Sequence, residues 1–119
     1  MTSPQWFRMQ SNWLENPKIA ELHESRDHAA IVLWLDSIAY AGLHLTDGWV
    51  PAWFPKRRGY RARDCDALLK AELWHVLVIT DQGGWLINDY LKYQRSRDQW
   101  ETVQAKRAAA AKARWNGHG

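Results

Sequence analysis

The feature that most constrains the fold is a long apolar segment over residues 27–44. Ile31, Leu35, Ile38 and Gly42 recur along it at helical spacing, and further apolar residues widen that face. The pattern predicts one helix that is buried over most of its circumference and forms the core of a small domain. Its longest unbroken apolar run is seven residues. A membrane span needs roughly 20, so we expect no contact with a bilayer.

Shorter elements flank this helix. Asn16 before Pro17 predicts the capped start of a short helix in "NPKIAELHES", because proline suits a first helical position. After the long helix, the "TDG" turn at 46–48 precedes residue types typical of a short strand at 49–50. Pro51 is expected to open the next helix.

Two helices joined by a tight turn come next. "PAWFPKRR" at 51–58 predicts a short, irregular helix because it contains a second proline. Gly59 and Tyr60 form a break before an amphipathic helix over 61–73. The predicted buried face of that helix holds Ala62, Cys65, Leu68, Leu69 and Leu73, and the predicted exposed face holds Arg61, Arg63, Asp64, Ala67 and Lys70.

The remaining elements complete a recognisable order. Residues 73–80 and 85–89 predict two strands joined by "DQGG", with Asp81 at the tip, where it would repel phosphate. The predicted fold class is α+β, mostly α: a winged helix-turn-helix with a β-hairpin wing and a C-terminal basic helix. We assign the winged helix-turn-helix domain to residues 1–95 and the basic Ala-rich helix or tail to residues 96–119.

The C-terminal segment is expected to be only marginally stable as a helix. Ser96 and Gln99 have capping-box spacing, and the helix could run to about Trp115. "KRAAAAKAR" has no apolar residue larger than alanine, so little hydrophobic burial holds it. We expect fraying that a polyanion or a partner reduces.

Positive charge is concentrated in two blocks, although the net charge is only +3. Residues 51–64 hold five basic side chains and one acidic side chain, and residues 92–119 hold seven basic and two acidic side chains. This pattern is typical of a protein that meets a polyanion at defined places. The predicted DNA-binding residues are Lys56, Arg57, Arg58, Arg61, Arg63, Lys92, Arg95, Arg97, Lys106, Arg107, Lys112 and Arg114. The competing interpretation is a solvated pair of helices.

Arg61 and Arg63 are the expected readers of base edges, because the second helix of a helix-turn-helix offers its N-terminal residues to the major groove. Nine tryptophans could instead stack on bases. Core packing is the favoured role for Trp34, Trp49, Trp74 and Trp85, whereas Trp53 and Trp115 adjoin the basic blocks and stay open.

No motif for catalysis is present in the sequence. The histidines lack metal-ligand spacing, and Cys65 is expected to be a buried thiol and not a nucleophile. We therefore expect no enzyme, no catalytic residue, no metal and no cofactor. The single cysteine and the absence of a secretory signal favour the cytoplasm of a bacterial host.

Several stretches resemble a known family: Trp6-Phe7, "NPK", "LTDGWVP", "ALLKAELW", "GWLINDYLKYQ" and "SRDQWE", followed by the basic Ala-rich tail. Together they look like the small winged-helix proteins of actinobacterial phages and prophages. Glu72 stands where such sequences often have glycine. The resemblance implies double-stranded DNA binding in replication initiation or transcription regulation, with a host or phage replication protein as a possible partner. The alternative is a winged-helix interaction module that binds a host or phage protein and has little DNA affinity.

Overall fold

The computed structural model describes residues 6–117. They form a mostly helical α+β structure with one three-stranded antiparallel sheet of order β1-β3-β2. The helices are α1 (Pro17–Glu24), α2 (His28–His44), α3 (Trp53–Arg57), α4 (Ala62–Lys70), α5 (Tyr90–Tyr93) and α6 (Arg97–Gly117). The strands are β1 (Trp49–Pro51), β2 (Trp74–Val76) and β3 (Gly84–Ile87), and a 3-10 turn covers Trp13–Glu15. The 3-10 turn and α5 were not predicted. No helix within 6–117 combines the length and apolarity needed to cross a membrane.

Helix α2 is the centre of the core, as predicted, but it is buried over less of its circumference. Ile31 and Ile38 are buried, whereas Leu35 and Gly42 are only half-buried and Val32 is 49% exposed. Helices α1 and α4 and strand β1 pack against α2 and leave its remaining side in solvent. A small domain has too few elements to surround a helix of 17 residues completely.

The start of α1 is confirmed. The Asn16 side chain accepts a hydrogen bond from the Lys18 amide at 2.9 Å, and Pro17 is the first helical residue. The expectation for Pro51 was wrong, because Pro51 ends β1 and α3 begins only at Trp53. Proline is tolerated there because β1 is an edge strand, in which one side of the backbone has no ladder partner.

Helix α4 is shorter than predicted, because the chain leaves the helix before residue 73. It ends at Lys70, and Glu72 has a φ of 60°, the left-handed conformation that favours glycine. Cys65 and Leu68 are buried as predicted, while Ala62 is exposed. Leu69 is half-buried.

The expectation that Asp64 lies on the exposed face of α4 was wrong. Asp64 is buried because its carboxylate accepts a hydrogen bond from the Arg61 amide at 2.9 Å and caps the start of the helix. An acidic side chain at the third helical position is well placed for this contact, which satisfies an N–H group that has no intrahelical partner.

The predicted hairpin is present, with shorter regular strands and a different turn. Residues 74, 75 and 76 pair with 87, 86 and 85, and an isolated bridge joins Ile79 to Gln82. These pairs share one register, so the connection is a two-residue turn at Thr80 and Asp81, both with positive φ. Asp81 lies at the tip, as expected.

Helix α6 begins as the sequence predicts. The Gln99 amide donates to Ser96 Oγ at 3.1 Å, and the Ser96 amide donates to Gln99 Oε1 at 2.8 Å, which is a complete capping box. Trp100 is buried and Val103 is half-buried, but every residue from 105 to 116 is exposed. The second half of α6 therefore projects from the domain.

Candidate nucleic-acid interface

The candidate site is the turn between α3 and α4, which holds most of the first basic block. Phe54 and Pro55 are buried and attach α3 to the core. The Arg58 amide donates to the Phe54 carbonyl at 3.1 Å, and the Tyr60 amide donates to the Pro55 carbonyl at 2.9 Å. Gly59 has a φ of 87°, which glycine adopts readily, so the chain can reverse within this short segment.

A hydrogen bond from Tyr60 to α2 fixes the turn on the domain. The Tyr60 hydroxyl donates to Asp36 Oδ2 at 2.5 Å, and Arg58 Nη2 lies 3.6 Å from the same oxygen. Burial, followed by the hydrogen bond to Asp36, raises the pKa of the Tyr60 phenol, so it stays a protonated donor at neutral pH. The turn thus has a defined position relative to the core.

The basic side chains of the turn all reach solvent. Lys56, Arg57, Arg58, Arg61 and Arg63 are exposed, as predicted. The Arg57 guanidinium lies 4.6 Å from the centre of the Trp53 ring. The Arg58–Asp36 pair is partly solvated, and ion pairs of this kind are worth at most about 1 kcal/mol. Both arginines could exchange these contacts for a phosphate at little cost.

The outward face of α4 carries a residue that the sequence analysis gave no role. Asp66 is exposed three residues after Arg63, and Lys70 is exposed one turn further along. A carboxylate at such a position can accept a hydrogen bond from the amino group of cytosine. Its i+3 spacing from Arg63 was the signal that could have identified it.

The second basic block divides into engaged and solvated side chains. The Arg95 and Arg107 guanidinium groups lie 5.5 Å and 5.4 Å from the centre of the Trp100 ring. Arg97 Nε lies 3.1 Å from Glu101 Oε1, and Lys92 lies over the Tyr93 ring. These contacts lie within α5, within α6 or in the segment between them. The first half of α6 is attached to the domain by the buried Trp100 ring and by the Arg97 amide, which donates to Asp47 Oδ1 at 2.6 Å. Exposed on the projecting half are Lys106, Lys112 and Arg114, together with Arg107 itself.

The tryptophans differ in burial more than the sequence suggested. Trp74 is buried and stacks on Trp85 with ring centres 4.9 Å apart. Trp85, Trp34 and Trp49 are half-buried, so their predicted core role is met in part. Trp53 and Trp115 are exposed, as are the basic side chains beside them.

A cavity of about 460 Å³ lies between the N-terminal segment and the core. Trp13 and Trp34 line it, with ring centres 6.2 Å apart. Several of its polar side chains already have partners, since Asn88 hydrogen-bonds to His75 and the Glu72 carbonyl, and Gln94 to the backbone of Arg8. Among residues 6–117 no three His, Cys, Asp or Glu side chains cluster as metal ligands.

Cys65 is buried, and the burial raises the pKa of its thiol to about 11. At neutral pH the group is therefore a thiol and lacks the thiolate character of a nucleophile. This agrees with the expectation that Cys65 packs as a small apolar residue.

No protein-family model, no curated protein and no solved structure matches the chain. The candidate interface is therefore defined by its own geometry: a cationic turn whose backbone is attached to the core by Phe54, Pro55 and Tyr60.

Proposed function

We propose that the chain is a winged-helix protein that binds double-stranded DNA, with α3 and α4 as its helix-turn-helix and residues 74–87 as its wing. One observation carries the proposal: five exposed basic side chains project from a turn that is hydrogen-bonded to the core through Tyr60 and Asp36. A charged surface with a defined shape can bind a polyanion in one orientation, which a flexible charged run cannot.

The order of the elements supports this proposal. Helix α2, strand β1, helices α3 and α4 and the hairpin β2–β3 follow one another along the chain. The sheet places β3 between β1 and β2, and α4 contacts β2. Arg61 and Arg63, at the N-terminal end of α4, are exposed, so a major groove could receive this end of the helix.

The basic side chains would divide the work of recognition. Arg61 and Arg63 flank the first residue of α4 and would reach base edges, where an arginine fork can engage a guanine twice. Lys56, Arg57 and Arg58 would contact phosphates, which position a protein without specifying sequence.

The wing would contribute little to phosphate binding. Residues 74–87 contain no Lys or Arg, and Asp81 lies at the tip. The additional cationic contact would come from the projecting half of α6, through Lys106, Lys112 and Arg114. DNA affinity thus has two sources, one attached to the core and one extended into solvent.

The biological role we propose is replication initiation or transcription regulation in a phage or prophage. It rests on the resemblance of "LTDGWVP", "ALLKAELW" and "GWLINDYLKYQ" to small winged-helix proteins of actinobacterial phages. Either role requires binding that depends on DNA sequence, so the site can be tested without choosing between them.

The test compares Arg57→Ala, Arg58→Ala, Arg61→Ala and Arg63→Ala on two duplexes. A preferred site is first selected from a random duplex pool, and each variant is then titrated on that site and on random DNA at several salt concentrations. Arg57→Ala and Arg58→Ala should weaken both duplexes alike and lower the salt slope by about 0.9 per lost phosphate contact. Arg61→Ala and Arg63→Ala should weaken the preferred site by about 1–3 kcal/mol more than random DNA.

Arg26→Ala is the matched control, because Arg26 is exposed between α1 and α2, outside the basic block. Circular dichroism checks that each variant is folded. Small and equal losses for all five variants, with unchanged salt slopes, would contradict the DNA interface. Recovery of a protein partner from nuclease-treated extract would then favour the interaction-module alternative.

A further inference from the structure

Strand β2 is an edge strand whose outer side faces solvent. The sheet order β1-β3-β2 pairs one side of β2 with β3, and no strand among residues 6–117 covers the other side. The stretch "LWHVLVIT" at 73–80 contains no Lys, Arg, Asp, Glu or Pro. Edge strands are usually protected against pairing by being very short, or by charged residues, proline, bulges or a covering loop. Strand β2 itself has three residues, but the bridge from Ile79 to Gln82 continues its register to residue 79. This stretch carries no charged residue and no proline to protect it.

The outer side chains of this edge are apolar and exposed. Val76 is 64% exposed and Val78 is 59% exposed, while Ile79 next to the turn is 42% exposed. Val76 lies opposite Trp85 in the ladder, so both side chains are on the same face of the sheet. Trp85 is half-buried. An uncharged edge flanked by apolar side chains is a surface that tends to pair with another strand.

The backbone hydrogen bonds within residues 74–87 show which N–H and C=O groups are free to pair with another strand. The Leu77 amide donates to the Gly84 carbonyl at 3.0 Å, and Ile79 and Gln82 exchange two hydrogen bonds of 2.9 Å. The backbone hydrogen-bonding groups of residues 77 and 79 therefore point toward β3. Because alternate residues of a strand point their N–H and C=O groups to opposite sides, those of Val76 and Val78 point outward.

We propose that residues 74–79, which begin with β2, pair with the same residues of a second copy of this chain, antiparallel and across a two-fold axis at Leu77. In that register Val76 of one copy lies opposite Val78 of the other. Each such pair exchanges two backbone hydrogen bonds, so the axis generates four. The two sheets join into one of six strands, and the Val76 and Val78 side chains of both copies lie together on one face.

The chemistry of the edge favours a second copy over an unrelated segment. The outward groups of Val76 and Val78 are two residues apart and match themselves when the strand is reversed, which is what a two-fold interface requires. With no charged side chain between residues 73 and 80, two copies can meet without the repulsion that like charges cause directly across a ladder. The inference does not rest on the proposed DNA binding.

The experiment measures mass against concentration in the absence of DNA. Sedimentation equilibrium of the full chain, over about 1 µM to about 1 mM, should show the average mass rising from 13.9 kDa toward twice that value. Val78→Lys should weaken dimerisation by at least about tenfold, because the two-fold axis brings in two ammonium groups at once. Val32→Lys is the matched control, since Val32 is a 49% exposed valine on α2 and should leave dimerisation unchanged.

Hydrogen exchange tests the register in the unmodified chain, so the proposal does not depend on any variant folding. The amides of Val76 and Val78 should become more protected as concentration rises. The Leu77 amide, already bonded to Gly84, should be protected at every concentration. A constant mass of 13.9 kDa over the whole range would overturn the proposal. The proposal would also be overturned if the two lysine variants had equal effects on dimerisation, or if amide exchange at Val76 and Val78 did not change with concentration.

Discussion

The two basic segments are similar in charge but differ in how they are attached to the core. In the turn between α3 and α4, the cationic side chains alternate with buried Phe54 and Pro55 and with the anchoring Tyr60. In the projecting half of α6, residues 105–116 are exposed without exception. Tertiary contacts hold the first segment in place, whereas the second has no buried side chain and depends on alanine helix propensity and on the contact of Arg107 with Trp100.

The attachment of each segment to the core determines how precisely its cationic side chains can be oriented. A hydrogen-bonded turn on a packed core can hold an arginine fork in the orientation that a base edge requires. An exposed Ala-rich helix can supply charge near a phosphate backbone, but little holds its direction. We therefore expect the turn to determine which sequence is bound and α6 to raise affinity for any sequence.

The largest effect on the turn should come from a cavity in the core beneath it. Leu68 on α4 is fully buried, and Leu68→Ala should lower the free energy of unfolding by about 2–5 kcal/mol, because it leaves a cavity. Leu69→Ala should cost less, since Leu69 is half-buried. Val103→Ala in α6, also half-buried, is the matched change in the other segment. Urea denaturation measures all three, and a Leu68→Ala variant as stable as the unmodified chain would show that α4 does not pack on this face.

Thiol labelling measures how well α4 and α6 are each protected from solvent. Burial raises the pKa of Cys65 to about 11, which makes its thiolate fraction near pH 8 roughly 100 times smaller than that of a free thiol. The folded chain favours the neutral thiol, so labelling should rise as the pH approaches that value.

The control for this labelling is the double variant Cys65→Ala/Ala109→Cys, because Ala109 is exposed in α6. Its thiol should react with iodoacetamide as fast as a cysteine in an unstructured peptide. Equal labelling rates at the two positions would mean that α4 does not protect Cys65 from the reagent.

Removal of residues 105–119 should have the smallest effect on stability and a clear effect on binding. The described part of this segment is wholly exposed up to residue 116, so the free energy of unfolding should change by no more than about 0.5 kcal/mol. DNA affinity should fall for all duplexes alike, with the salt slope reduced by about 0.9 for each lost phosphate contact. Thermal melts and salt-dependent titrations measure the two effects.

A full-length variant with Lys106, Lys112 and Arg114 changed to glutamine separates charge from helix length. It should reproduce the loss of affinity without shortening the chain. A large drop in melting temperature after truncation, or a loss of preference between duplexes, would contradict the division of roles between the turn and α6.

Much of the secondary structure was predictable because local chemistry determines it. Asn16 before Pro17 and the Ser96–Gln99 pair are caps whose hydrogen bonds form within three residues. Gly59 marks the break between α3 and α4. The exposure of the basic residues at the turn also followed from the amphipathic pattern, because charged side chains avoid an apolar core.

The errors have two causes: contacts with distant elements, and local caps and turns that the amphipathic pattern does not indicate. Pro51 ended a strand because β3 lies beside it, and Glu72 took a left-handed conformation where α4 turns into β2. Asp64 faced inward because the Arg61 amide needed an acceptor at the start of α4. Partial exposure of α2 depended on how many elements pack around it, which periodicity does not encode.

Local patterns were sufficient to predict the order of the helices and strands other than α5, the two blocks of positive charge and the caps at α1 and α6, because each depends on residues within one or two turns of one another. The packing of separate elements was needed to bring the Tyr60 hydroxyl to Asp36, 24 residues away, to bring the Arg97 amide to Asp47, 50 residues away, and to leave the outer edge of β2 without a partner strand among residues 6–117. Such contacts form when separate elements pack together, and their geometry depends on the whole core and not on the spacing of any one segment.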